Sequence, residues 1–272
     1  MKLSKDVTLN LSKEEKRYYK QHGVLPGFDS IQPPPIPSQL DKITVLCVRF
    51  GTKYGFEYVE RLRNMVQRHM TVPYEFACLT DDPTPITGVR IIYQRGSGYA
   101  KAWWHKVHMF DPTLNISGRI LYMDLDVIVC GNLDKLVENL KLDFMGIQDF
   151  NRKFHPTWRM LNSSVMSWVH GTQSDIWSKF IANPANAQRM HGDQDWTWHV
   201  AKDRIKFWPI EWIQSYKWEI RNREELVVRT GKNGFKSIAH NLNINPQCSV
   251  AVFHGDPKPE TVPDPFVIDN WR

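Results

Sequence analysis

Two aspartates, Asp124 and Asp126, stand one residue apart in Tyr122-Met-Asp-Leu-Asp-Val-Ile-Val-Cys130, between two apolar runs. Carboxylates in such surroundings need a counter-charge or a metal. A pair at the end of a strand can grip a hard divalent cation such as Mn²⁺ or Mg²⁺, directly or through water. Alone the pattern is weak: 18 aspartates in 272 residues supply about one Asp-x-Asp by chance, and a second occurs at Asp193-Gln-Asp195. An acidic turn or cap explains an isolated example. A distant segment raises its weight. Val250-Ala-Val-Phe253 runs into His254-Gly-Asp-Pro-Lys-Pro259, which offers an imidazole, a glycine for close backbone approach and a lysine able to hold a phosphate.

The elements that must position these groups follow from hydrophobic patterning. Ile43 to Val48 is a continuous apolar, β-branched run of the kind buried on both faces of a sheet. Tyr58, Val59, Leu62, Met65, Val66 and His69 share one helical face. Tyr74 to Leu79 and Val89 to Tyr93 read as strands, Trp103 to Phe110 as a helix, and Arg119 to Met123 as a fourth strand ending at Asp124. Later strands are Phe144 to Ile147, Val165 to Trp168, Ile205 to Trp208 and Val250 to Phe253. This alternation predicts an α/β fold with one open, mostly parallel central sheet, whose ligands bind beyond the carboxyl ends of the strands. Residues 1–42 form a polar arm, with a candidate helix at Glu14–His22 and a stiff Ile31-Gln-Pro-Pro-Pro-Ile-Pro37 linker. Residues 43–272 form the single domain.

The acidic strand, with Asn132-Leu-Asp-Lys-Leu136 after it, resembles the metal-binding strand of GT-A-fold glycosyltransferases. The likeness points to glycosyltransferase family 8, which includes glycogenin and the galactinol synthases. Lys106-Val-His-Met-Phe110, Asn162-Ser-Ser-Val-Met166, Asp193-Gln-Asp195 and His254-Gly255 with Lys258-Pro259 are similar to further motifs of that family, in the family's order. The chain departs from the pattern at Leu125, which is bulkier than usual, at Ser163-Ser164 in place of Ala-Gly, and at Glu260 in place of Trp. The resemblance implies a Rossmann-like GT-A domain that moves a sugar from a UDP-sugar to an acceptor hydroxyl with retention. It implies Asp124, Asp126 and His254 as ligands of Mn²⁺ or Mg²⁺, with Asp124 also near the ribose. Lys258 and Gly255 would meet the diphosphate, and Lys106 would lie near the donor sugar or phosphate. Asn162 and Asp193 would hold the sugar, and Asp193 or Asp195 would stabilise its oxocarbenium-like state. Arg49, Tyr54 and Asp81 follow the first two strands, where such folds seat base and ribose. For each of them an ordinary loop contact or cap is an equal reading.

Composition narrows the rest. The net charge is +6, and between Met145 and Lys236 there are 14 Lys+Arg against 9 Asp+Glu. Ten of the 11 tryptophans lie between Trp103 and Trp218. That half builds the acceptor side in GT-A folds, so an anionic acceptor is expected there: a phosphorylated glycan or modified DNA. Trp168 and Trp208 read as core. Trp103-Trp104 and the Trp196/Trp198 pair flank the site, where rings stack on sugars or bases. His191, His199 and His240 read as structural or surface residues. The cysteines, Cys47, Cys78, Cys130 and Cys248, are spread out and read as buried thiols in a reducing compartment. With no long apolar run and no signal-peptide core at the N-terminus, the sequence predicts a soluble cytoplasmic protein. Two other classes fit parts of the pattern: a metal-dependent nucleotidyl or phosphoryl transferase, and a non-catalytic carbohydrate- or nucleic-acid-binding protein.

Overall fold

Runs of β-branched and apolar residues become strands where both faces of a sheet are covered, and the central strands of this chain are of that kind. The computed structural model describes Arg17 and residues 42–95, 102–138, 140, 143–221, 227–230, 235–238 and 242–272. The helix expected at Glu14–His22, the proline linker, the Gly96-Ser-Gly98 loop and His240 lie outside the described residues. In chain order the elements are β1 (Ile43–Arg49), α1 (Phe56–His69), β2 (Glu75–Thr80), β3 (Arg90–Tyr93), a 3₁₀ helix (Ala102–Phe110), β4 (Arg119–Met123), β5 (Val127–Val129), β6 (Phe144–Gln148), β7 (Leu161–Val169), α2 (Ser174–Ala182), α3 (Pro184–Ala187), α4 (Asp193–Ala201), β8 (Ile205–Phe207), β9 (Ile213–Ser215), β10 (Val227–Thr230), β11 (Phe235–Ile238), β12 (Val250–Val252) and α5 (Pro265–Asn270).

Seven strands form the central sheet in the order β3-β2-β1-β4-β7-β6-β8. Only β7 runs against its neighbours. Alternate residues of β1 feed two cores. Val45 and Cys47 join Leu62, Met65 and Val66 of α1 on one face. Leu46 joins Tyr122, Trp168, Phe180 and Trp196 on the other. Trp168 and Trp208 are core residues, as their patterning predicts. The segment expected as a helix at Trp103–Phe110 is 3₁₀ rather than α. Trp104 and all of residues 106–110 are buried, so the segment keeps no exposed stripe of the kind an amphipathic α-helix has. Among the described residues no helix is long and apolar enough to cross a membrane.

The expectation that every strand-end motif shares one sheet is not met. β12 leaves the central sheet and pairs with β5 and β9 in a separate three-stranded sheet. β5 escaped detection because Asp124-Leu-Asp126 reads as the end of β4, although three apolar residues resume straight after it.

His108, on the 3₁₀ helix, is fully buried. Burial, then the nearby His105, pulls its imidazole from 6.5 down to about 4. Below pH 6.5 the unfolded chain therefore takes up a proton that the native state refuses. Stability should fall from pH 6.5 to 4, with His108 contributing up to about 1.4 kcal/mol per pH unit. Urea midpoints measured across that range should fall less steeply in His108→Leu, by about one proton; equal slopes would contradict the assignment.

Candidate functional site

The pairing of β5 with β12 brings the two distant motifs together. Val127 lies opposite Val252, so continuing the antiparallel register sets Phe253 across from Asp126 and His254 across from Leu125. Asp124, Asp126, His254, Gly255 and Lys258 all line one cavity of about 430 Å³, with Lys106, Asn162, Ser163 and Tyr54 on its other walls. A second hollow, about 500 Å³ and lined by Glu57, Glu60, Arg61, Pro259 and Trp271 among others, contains none of Asp124, Asp126, His254 and Lys258.

The β6/β7 ladder is irregular where it meets the cavity. Gly146 pairs with Met166, but the next residue, Ile147, pairs with Asn162. The residues of β7 left over bulge from the ladder, a device that re-aims side chains beside sites. They include Ser163 and Ser164, and the Ser164 carbonyl accepts the Asp124 N–H at 2.8 Å. The acidic pair is thus held against the bulged strand.

Each carboxylate faces a lysine. Lys106 Nζ donates to Asp124 Oδ1 at 2.9 Å, to the Ser163 carbonyl at 2.9 Å and to Ser163 Oγ at 3.0 Å. Ser163 Oγ donates in turn to Asp193 Oδ2 at 3.2 Å. Burial pulls the Lys106 ammonium down, but Asp124 and Asp193 outweigh it and hold it above its usual range. Lys106 thus spends its three N–H groups on protein oxygens while lining the cavity. On the opposite side, Lys258 Nζ bonds Asp126 Oδ2 and the Phe253 carbonyl. Tyr54 donates its hydroxyl to the same Asp126 oxygen at 2.9 Å and lines the cavity.

His254 stacks on Phe150, with centroids 5.0 Å apart, and meets the edge of Trp218. Its Nε2 is 2.7 Å from Ser215 Oγ. Burial first, then Lys217, Lys258 and Arg152, pulls its pKa down to about 4, which leaves the ring neutral at physiological pH, as a metal ligand must be. Among the described residues, Asp124 Oδ2 and Asp126 Oδ1 carry no hydrogen bond. Hard carboxylate oxygens beside a neutral imidazole suit Mn²⁺ or Mg²⁺ in donor type. Even so, no group of three or more His, Cys, Asp and Glu is drawn together as for a metal ion among the described residues; Lys258 instead occupies Asp126.

Other expected site residues are placed less directly. Asn162 is buried on the cavity wall. Asp193 sits behind that wall in the Lys106 network, salt-bridged at 3.6 Å, and burial raises its carboxyl pKa. Asp195 lies further along α4 and does not line the cavity. Between the two, Gln194 does line it and accepts the Ser163 N–H at 3.2 Å. Arg49 bonds the Tyr54 carbonyl and stacks on Phe56, while Asp81 accepts the Gly51 N–H. Both shape the loop after β1 and stand outside the cavity lining. Asp82 caps its own turn through Thr84, the cap reading of that segment. Trp103 is 57% exposed at the cavity rim, whereas Trp104 is buried against Phe180. Trp196 is core, bonded to the Ile176 carbonyl, and Trp198 stacks on Phe207 away from the cavity. His191 and His199 are surface residues.

Two cations were missed by sequence reading. Lys217 and Arg152 both bear on His254, yet they lie far from it in sequence and outside any motif. Gly255 adopts φ +67°, and a Cβ there would stand 2.9 Å from Lys217 Nζ. Gly255→Ala should therefore lower stability by about 1–2 kcal/mol through the left-handed backbone alone and displace the Lys217 ammonium. Urea unfolding measures the first effect, and an unchanged midpoint would refute it.

The sequence matches no protein-family model and no curated protein, but solved structures share its fold. The galactosyltransferase LgtC, solved with donor and acceptor sugar analogues, aligns over 79% of this chain and 88% of its own, with a TM-score of 0.53 and 12% identity. The bifunctional glycosyltransferase WbbM aligns over 80% of this chain and 46% of its own, at 0.51 and 13%. The glycosyltransferase GlyE of Streptococcus pneumoniae TIGR4 aligns over 63% and 47%, at 0.48 and 16%. The chain spans about half the length of GlyE and WbbM. At these identities the likeness is one of fold: the mostly parallel seven-stranded sheet is that of the Rossmann-like GT-A architecture.

Proposed function

We propose that residues 43–272 form one glycosyltransferase unit that transfers a sugar from a UDP-sugar to an acceptor hydroxyl, with retention at the anomeric carbon and with Mn²⁺ or Mg²⁺. The supporting observation is the convergence of Asp124, Asp126, His254 and Lys258 on one cavity of a GT-A sheet. The UDP donor, the retention and the metal rest on the motif likeness to glycosyltransferase family 8. Asp124, Asp126 and His254 hold the cation. When bound, it supplies Lewis-acid stabilisation of the charge that develops on the departing diphosphate.

The chain's own residues do the rest. Lys258 turns from Asp126 to the diphosphate oxygens and supplies a fixed positive charge where negative charge grows. Gly255, with no side chain, lets the phosphates approach the backbone. Asn162 and Gln194 hydrogen-bond the donor sugar from the cavity wall. Asp193 is a positioning residue: through Ser163 and Lys106 it sets that wall and the orientation of Asp124. The acceptor hydroxyl attacks the face from which the diphosphate leaves, and the departing phosphate oxygen takes its proton. One LgtC structure carries a glutamine-to-glutamate change in its active site; Gln194 offers the same chemical group here, against the sugar. The basic excess between Met145 and Lys236 supports an anionic acceptor, a phosphorylated glycan or modified DNA.

The test is to incubate the full chain with a panel of UDP-sugars and Mn²⁺, and to follow UDP release with neutral glycan, phosphorylated glycan and hydroxymethylated DNA as acceptors. Acceptor-dependent UDP release that stops in excess chelator is expected, with turnover on the anionic acceptors falling steeply as salt rises. Absence of UDP release with every donor, or an undiminished rate in chelator, would overturn the reading. Salt-independent turnover on the neutral glycan would overturn the acceptor assignment alone.

A further inference from the structure

The four cysteines are all free thiols, and the fold gathers them into two pairs that sequence spacing conceals. Cys47 and Cys78 lie directly opposite each other on β1 and β2, each at most 1% exposed. Cys130 follows β5 and Cys248 precedes β12, so both sit at the same end of the small sheet. Their sulfurs are 3.9 Å apart, with the Cys130 thiol directed at both the sulfur and the carbonyl oxygen of Cys248. The backbone is already pinned there: the N–H groups of Cys130 and Gly131 both donate to the Ser249 carbonyl, at 2.9 and 3.3 Å. Gly131 permits this closeness, since a Cβ on it would stand 2.5 Å from the Cys248 carbonyl oxygen.

The electrostatics of the pair are asymmetric. The hydrogen bond from Cys130 lowers the Cys248 pKa against the effect of burial, and Lys135 lowers it further. Cys130, as donor, is pushed up. Lys135 is the basic neighbour of both thiols, its ammonium bonded to the Gln247 carbonyl. Cys130 is partly exposed and the adjoining Cys248 is 5% exposed, so a small peroxide has its approach to this pair past Cys130, whereas both thiols in the central sheet are at most 1% exposed.

We propose that Cys130 and Cys248 are a dithiol modification site, which a hydroperoxide converts to an intramolecular disulfide. The Cys248 thiolate attacks one peroxide oxygen, the O–O bond breaks, and the other oxygen leaves as water or an alcohol after taking a proton. The Cys130 sulfur then attacks the Cys248 sulfenic acid, the S–O bond breaks, and the oxygen departs as water with the thiol's proton. Each cysteine sulfur gives up one electron, and the peroxide takes up two. The bridge ties the chain beyond Asp126 to the chain before His254, at the end of the small sheet away from the cavity.

The test treats the full chain with hydrogen peroxide and counts free thiols with a chromogenic disulfide reagent. Mass mapping of an unreduced digest then locates any bridge. Thiols should fall from four to two, with the Cys130 and Cys248 peptides linked within one chain. In Cys130→Ser the second step is blocked, so a dimedone adduct should accumulate on Cys248. Four surviving thiols, a Cys47–Cys78 bridge, or bridges only between molecules would each overturn the proposal. The wild-type map decides the matter even if the variant fails to fold.

Discussion

Asp126→Ala is expected to lower sugar transfer by about a thousandfold, the scale on which a group stabilising transition-state charge is lost. The residue does two jobs at one oxygen pair. Oδ2 anchors Tyr54 and Lys258, while Oδ1, free of hydrogen bonds among the described residues, faces the cation proposed for the site. Alanine removes the proposed metal ligand and also frees Lys258 from its resting partner. The fold should survive, because Lys258 retains 22% side-chain exposure and the Phe253 carbonyl as an acceptor. Initial rates of UDP release, beside circular dichroism spectra of both proteins, measure the two halves of this expectation. A variant as active as the wild type refutes the role of Asp126, and an unfolded variant refutes the claim that its role is local.

Lys106→Met should do the reverse, acting first on stability. Lys106 keeps 10% of its side chain exposed and faces Asp124 and Asp193 at once. Methionine fills much the same volume but leaves two carboxylates and the Ser163 carbonyl without their shared cation. Breaking a buried ion pair from one side costs about 3–5 kcal/mol, and urea unfolding should register a loss of that size. Because the Lys106 pKa is raised in the folded state, its contribution is complete below the unfolded lysine pKa and is lost only as pH rises through the folded value. The difference between wild type and variant should therefore hold through neutral pH and shrink in strong alkali. A loss under about 1 kcal/mol would mean that the pair is no better than a surface one.

These two lysines mark the limit of what the sequence conveyed. Strands β1, β2 and β4 were legible because continuous apolar runs have few other fates. The gathering of Asp124, Asp126, His254 and Lys258 was anticipated from their places beyond strands. The partners of those side chains were not. The hydrogen bonds of Lys106 depend on the bulge that turns Ser163 inward, and a bulge in β7 between Asn162 and Met166 has no sequence mark. The small sheet was missed because β9 is the mixed triplet Ile213-Gln-Ser215 and β5 a three-residue fragment. The thiol pair was missed with it, since Cys130 and Cys248 become neighbours only through that sheet. Gln194 stands between two aspartates, and a lone amide there carries no pattern of its own.

The position of β12 also sets an order of events. Lys258 and Asp126 are 132 residues apart, and the seven strands of the central sheet are all drawn from residues before Trp208. A growing chain can thus complete its large sheet, with both lysine-facing carboxylates on the edge of the opening, well before the segment bearing His254 and Lys258 is synthesised. Bringing that segment home closes a long loop, whose entropy cost grows only logarithmically with its length. The cavity is consequently closed late, and chains cut short before β12 would lack His254 and Lys258 together with the part of the core that Val250, Val252, Phe253 and Trp271 supply.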